Sequence, residues 1–164
     1  MCVVAPYEIA GQTSVSVVAT YNGSATPPFS QAIAPTAPHF FTNTYMPAGQ
    51  IATLNSGYSL NSAGNPSTAG SVVILYATGE GVISPPGVDG SVVGTVLTQP
   101  VANVTVTIGG QPANVLYAGG SPGLLEGVLQ VNVRIPAGTP SGNVPVTMQI
   151  GANSTPFGGT IAVQ

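Results

Sequence analysis

Short apolar runs, each stopped by glycine, proline or Asn-Gly, recur along the whole chain. That alternation is the mark of short strands joined by turns. Residues 14–21 read SVSVVATY, which puts Val15, Val17 and Ala19 on one face, and Asn22-Gly23 then supplies a turn. Residues 71–77 (SVVILYA) are a continuous apolar run that suits a central strand covered on both faces. Residues 103–108 (NVTVTI) alternate, and Gly109-Gly110 offers a two-residue hairpin loop into residues 113–117. Residues 127–135 (GVLQVNVRI), 143–150 and 160–163 complete the set. No window holds the 3.6-residue apolar period of an amphipathic helix. The expected fold is all-β, an immunoglobulin-like β-sandwich.

Charge narrows the function. Lys and Arg together number 1 and Asp and Glu 4, so charged residues are 3% of the chain, where an ordinary soluble protein carries roughly a quarter. One arginine (Arg134) and no lysine cannot neutralise a row of phosphates, which argues against nucleic acid as a partner. A polybasic membrane anchor fails for the same reason. No apolar stretch is long enough for a transmembrane helix, and no basic n-region opens the chain as in a signal peptide. Such a surface also has little electrostatic repulsion to keep copies apart.

An internal repeat organises the chain. Val3-Val4-Ala5-Pro6, Gly11, residues 15–21, Phe29 and Ile33-Ala34 match Val133-Arg134-Ile135-Pro136, Gly142, residues 144–150, Phe157 and Ile161-Ala162. Val15, for example, answers to Val144, 129 residues later. Residues 1–34 therefore read as the closing strands of one incomplete module, and residues 35–164 as a complete second module that ends the same way. Residues 34–38 (APTAP) are the stiff connector. A closing piece of a few strands cannot bury its apolar face alone, and its edges present unpaired N–H and C=O groups. Either a longer protein supplies the missing strands, or another molecule completes the sheet by strand addition. Natural edge strands usually carry lysine or inward charge to prevent edge pairing; this chain has no lysine.

Residues 73–90 (VILYATGEGVISPPGVDG), 104–119 (VTVTIGGQPANVLYAG) and 128–138 (VLQVNVRIPAG) together carry a resemblance. The chain resembles the uncharacterised C-terminal domain family that recurs in large secreted proteins of Solibacter-type acidobacteria. The match covers roughly residues 39–164, and the segment before it resembles the tail of the Ig-like module that precedes that domain. The resemblance implies an extracellular or cell-surface bacterial module without assigned activity, and it assigns no functional residues.

Candidate chemistry is sparse. Gly119-Gly120-Ser121-Pro122-Gly123 matches G-x-S-x-G, but Pro122 stands where an oxyanion-hole N–H belongs and no helix pattern follows. His39, the only histidine, sits among Pro38, Phe40 and Phe41, which reads as packing at the module junction. Glu80 and Asp89 flank one Gly-rich loop and are the calcium candidates, set against loop-capping hydrogen bonds. Glu126 and Arg134 read as an ion pair on one strand face. Cys2 cannot form an internal disulfide and reads as a small buried apolar residue, with an intermolecular bridge or lipid attachment as alternatives. Three N-x-S/T sequons begin at Asn22, Asn103 and Asn153. Tyr7, Tyr21, Tyr45, Tyr58, Tyr76 and Tyr117 offer a sugar-stacking surface, or ordinary strand packing.

These readings converge on a non-catalytic extracellular structural protein without a cofactor. It is expected to be a self-assembling subunit whose N-terminal strands complete a neighbouring copy. The expected assembly surface is Val15, Val17, Ala19, Tyr21, Phe29, Ile33, His39, Phe40 and Phe41. The alternative is an adhesion or spacer module at the C-terminus of a larger secreted protein, binding a glycan or a surface protein.

Overall fold

The computed structural model describes residues 3–42, 49–156 and 158–164. Cys2, Tyr45 and Phe157 lie outside the described residues. Among the described residues the only helical element is a 3-10 turn, Tyr7–Ile9, and everything else regular is strand. The strands are β1 (Ser14–Val17), β2 (Thr20–Tyr21), β3 (Ser24–Ala25), β4 (Phe29–Ala32), β5 (His39–Phe40), β6 (Gly49–Gln50), β7 (Thr53–Asn55) and β8 (Val72–Thr78). They continue with β9 (Ile83–Ser84), β10 (Gln99–Pro100), β11 (Val104–Ile108), β12 (Gln111–Gly120), β13 (Leu129–Arg134), β14 (Gly142–Ile150), β15 (Asn153–Ser154) and β16 (Gly159–Val163).

The body is an all-β sandwich, as the sequence predicts. One half runs β5-β8-β13-β12, with β7 beside β5 on the same edge of β8. The other half runs β12-β11-β14-β16-β6, the last pair parallel. β12 belongs to both. Its first residues pair with β11, its later ones with β13, and the register slips between Val115 and Tyr117. A bulge of this kind bends a strand, which lets one long strand turn the corner between two layers.

Alternation builds the core. Leu129, Val131 and Val133 of β13 face inward, as do Val144, Val146, Met148 and Ile150 of β14, with polar or exposed residues between. Val73, Leu75 and Ala77 of β8 join the same core from the first half, while Ile74 on the other face of β8 is buried too. The run at 71–77 is thus a central strand covered on both faces. Gly109 and Gly110, at φ 61° and 77°, form the two-residue loop between β11 and β12. Both loop positions need φ > 0, which glycine supplies without strain.

The N-terminal region follows a different plan. Val3 to Pro6 form no strand, although their repeat counterparts belong to or adjoin β13. β13 is flanked by β8 and β12, and residues 3–6 have no such neighbours to pair with. β1 pairs with β4 and β2 with β3, forming one long antiparallel hairpin around Asn22-Gly23. It is tied to the body at both ends. Before it, the amide N–H of Tyr7 donates to Asp89 Oδ1 at 3.0 Å. After it, the connector is clamped: Ala37 N donates to the Gly79 carbonyl at 2.8 Å and Thr36 Oγ1 to the Ile150 carbonyl at 2.8 Å. Asn153 Nδ2 donates back to the Thr36 carbonyl at 2.9 Å.

Two glycines make that clamp possible. A Cβ on Gly79 (φ 82°) would lie 1.8 Å from the Ala37 carbonyl oxygen, and one on Gly81 (φ 76°) 2.2 Å from that of Pro35. The T-G-E-G segment is therefore a seat for residues 35–37. Gly79→Ala combines a backbone clash with a strained φ and should cost roughly 3 kcal/mol or more. Gly94→Ala, at a site with nothing within 4 Å, should stay within about 0.5 kcal/mol. Urea unfolding of the two variants beside the native chain measures both.

Candidate functional site

The hairpin is the element with unspent interactions. In β1 and β4, Val15 and Val17 lie on the same face as their partners Gln31 and Phe29, while Ser14, Ser16, Ser30 and Ala32 lie on the other. Its apolar face is open to solvent. Val17 is 50% exposed, Phe29 65% and Tyr21 80%, and every residue from 20 to 32 is exposed. Val15, Ala19 and Ile33 are half-buried. Among the described residues β1 and β4 form a sheet of two strands, so each keeps an unpaired outer edge.

The same hairpin occurs a second time in the chain, with its face covered. Thr26 N donates to the Ala19 carbonyl at 2.9 Å and Thr155 N to the Met148 carbonyl at 2.8 Å. Thr26 Oγ1 accepts from Ala19 N at 3.2 Å, as Thr155 Oγ1 accepts from Met148 N at 3.2 Å. Thr20 and Tyr21 face Ala25 and Ser24, just as Gln149 and Ile150 face Ser154 and Asn153. Each of these positions is displaced by 129 residues. The counterparts of Val15, Val17 and Tyr21 are Val144, Val146 and Ile150, at 3%, 3% and 0% exposure. In the C-terminal copy β14 pairs outward with β11 and β16 with β6. Among the described residues the N-terminal copy has neither neighbour.

The remaining expected assembly residues divide. Phe41 is exposed. His39 is exposed rather than packed, because it lies on edge strand β5 opposite Thr78; its ring Nδ1 is 3.0 Å from the Phe40 carbonyl oxygen. Phe40 points the other way. It is buried in the core of its own chain, since neighbours on a strand face opposite sides, and it is no surface residue.

Beneath the first anchor of the hairpin (hereafter also the arm), the Tyr7–Asp89 bond, lies a group of polar side chains taken out of water. Glu80 is 3% exposed, and neither carboxylate oxygen has a hydrogen-bond partner. Glu126 is buried as well, and its Oε2 accepts from Thr98 Oγ1 at 3.3 Å. Burial, and then the charge of Glu126, push the Glu80 carboxyl up to about 7. The Tyr7 hydroxyl is buried without a partner. Burial, with Glu80, Glu126 and Asp89 adding to it, raises that phenol to about 12. Burial and then Glu80 also raise Tyr117, whose hydroxyl donates to the Gly120 carbonyl at 2.7 Å.

This arrangement changes the reading of the acidic residues. The carboxylate that acts on Glu80 is Glu126, 46 positions away in sequence. Asp89 lies exposed and holds the Tyr7 amide, a capping role. Glu126 is not paired with Arg134, whose guanidinium donates to the Gly70 carbonyl at 2.8 Å. Among the described residues no three His, Cys, Asp or Glu side chains come together. Ser121 is buried, and its hydroxyl donates to Gln130 Oε1 at 3.0 Å; Gly123 (φ 81°) turns the chain after it, with no helix. Asn153 is held by Thr36, while Asn22 and Asn103 are exposed.

Glu80 makes stability depend on pH. Its folded value lies above the ordinary 4.5, so the folded chain holds the proton more tightly than the unfolded one. That stabilisation is fully present below pH 4.5 and is lost as pH rises through about 7. The difference is roughly 3 kcal/mol. Thermal unfolding should show a Tm higher at pH 5 than at pH 8 by on the order of 5–10 °C. Glu80→Gln should flatten this profile and raise the Tm at pH 8; an unchanged profile would mean that Glu80 stays ionised. No protein-family model, curated protein or solved structure matches the chain.

Proposed function

We propose that this chain is a non-catalytic structural protein of the cell exterior, a self-assembling subunit whose N-terminal hairpin completes the sandwich of a neighbouring copy. The observation that carries the reading is the pair of equivalent hairpins. One sequence plan is used twice. In its C-terminal use the apolar face lies against an opposing layer and both edges are hydrogen-bonded. In its N-terminal use both demands are unmet. An exposed amphipathic hairpin with open edges is suited to strand addition, where main-chain bonds give affinity and alternate side chains give specificity.

The low charge supports the same reading, because few charges need to be desolvated when copies meet. The contact joins two different surfaces, hairpin and acceptor, so it propagates head to tail unless the geometry closes. The Ig-like family resemblance supports placement outside a bacterial cell. The repeat also favours a second reading. The sandwich that the hairpin completes then lies within a longer chain, and the body serves as a spacer or adhesion module whose loops meet a glycan or a surface protein.

Size-exclusion chromatography over a concentration series, with negative-stain imaging, separates the two. Concentration-dependent polymers are expected, and Phe29→Asp should return the chain to monomers without lowering its Tm, since Phe29 is solvent-exposed. A chain that stays monomeric at every concentration favours the spacer reading.

A further inference from the structure

Resting on the assembly reading, we infer that the hairpin's acceptor is the groove where β12 leaves β11 on a second copy of this chain. β12 pairs with β11 only through Ala113, and from Asn114 onward its ladder partner is β13, with a slip between Val115 and Tyr117. β11 pairs with β12 only from Val106 onward, while Val104 and Thr105 are held by β14 alone. Two strands that were neighbours therefore diverge. Each presents a stretch of main chain to the gap without a ladder partner on that side. The gap is a groove of about 470 Å³, with β10 and the segment leading to Val104 along one wall and residues 115–118 along the other.

Three features match this groove to the hairpin and not to a generic ligand. First, its free main-chain edges require a strand with a free edge of its own, and β1 and β4 each have one. Secondly, Leu116 and Val101 line the groove and are exposed. They are apolar partners of the kind Val17 and Phe29 lack. Thirdly, no residue lining the groove carries a formal charge, and none of residues 9–79 does, so the contact buries no unpaired ion. Beyond the groove β12 is already closed, since Gly120 N donates to the Thr98 carbonyl at 2.9 Å. The acceptor is therefore short, matching strands of four residues.

A complementation experiment with full-length chains tests this. Val17→Asp charges the hairpin and leaves the groove intact; Leu116→Asp charges the groove and leaves the hairpin intact. Both positions are exposed, so the Tm of each variant should match the native chain, and Val101→Asp serves as a second groove variant. An isolated charge buried at the contact should raise the concentration needed for assembly at least about a hundredfold. Each variant alone should be monomeric, and an equimolar mixture should give one-to-one pairs that grow no further, measured by light scattering after chromatography. Polymers of Leu116→Asp and Val101→Asp like those of the native chain would overturn the groove while leaving hairpin-driven assembly in place. A mixture that stays monomeric would also overturn it. A native chain that never assembles would remove the assembly reading itself, and the acceptor with it.

Discussion

An antiparallel hairpin with one apolar face is stable only against a second layer, and that requirement governs both ends of this protein. At the C-terminal end it is met. β14 and β16 bring Val144, Val146, Met148, Ile150, Ile161 and Val163 into one core with β8 and β13. Burying an aliphatic side chain fully is worth about 1.5–3 kcal/mol, so this layer contact holds the sandwich together. At the N-terminal end the same hairpin geometry, down to the Thr26 and Thr155 hydroxyls, is present without the layer. A two-stranded hairpin alone is marginal in water. We propose that another sandwich completes it.

The attachment of the hairpin is firmer than a linker. Its entry is held by Asp89 through the Tyr7 amide. Its exit is seated on Gly79 and Gly81, where only glycine allows main chain to lie directly on main chain. The two glycines bracket Glu80, and the residue between them is the one turned into the interior. The clamp that fixes the arm and the buried carboxyl with a value near 7 are thus features of a single loop. Protonation relieves the cost of burying that carboxyl, so the region beneath the arm's first anchor is more stable in mild acid.

Some of the site was legible in the residues and some was not. The exposed hairpin face was readable, because Val15, Val17 and their counterparts Val144 and Val146 occupy matched positions in a repeat. Phe40 was misplaced, because Phe40 at the end of β5 and Phe41 just after it look alike in sequence, while one is buried and the other exposed. The electrostatic partner of Glu80 was not legible either. Asp89 shares its loop, whereas Glu126 arrives from the turn before β13, and sequence proximity says nothing about such a meeting. Tyr7 stood out from the other tyrosines by no sequence signal, since its role comes from lying over side chains far along the chain.

Local pattern determined the strands, their inward faces and the Gly109-Gly110 loop, because alternation and positive φ are properties of a few consecutive residues. The same pattern marked the two ends of the chain as versions of one hairpin. Tertiary structure alone decided that one version is covered and the other bare, that β12 passes from one layer to the other and leaves a groove, and that Glu80 is stranded beside Glu126. Each of those outcomes depends on which surfaces meet across space. Burial and electrostatic coupling act through that distance, not through distance along the chain.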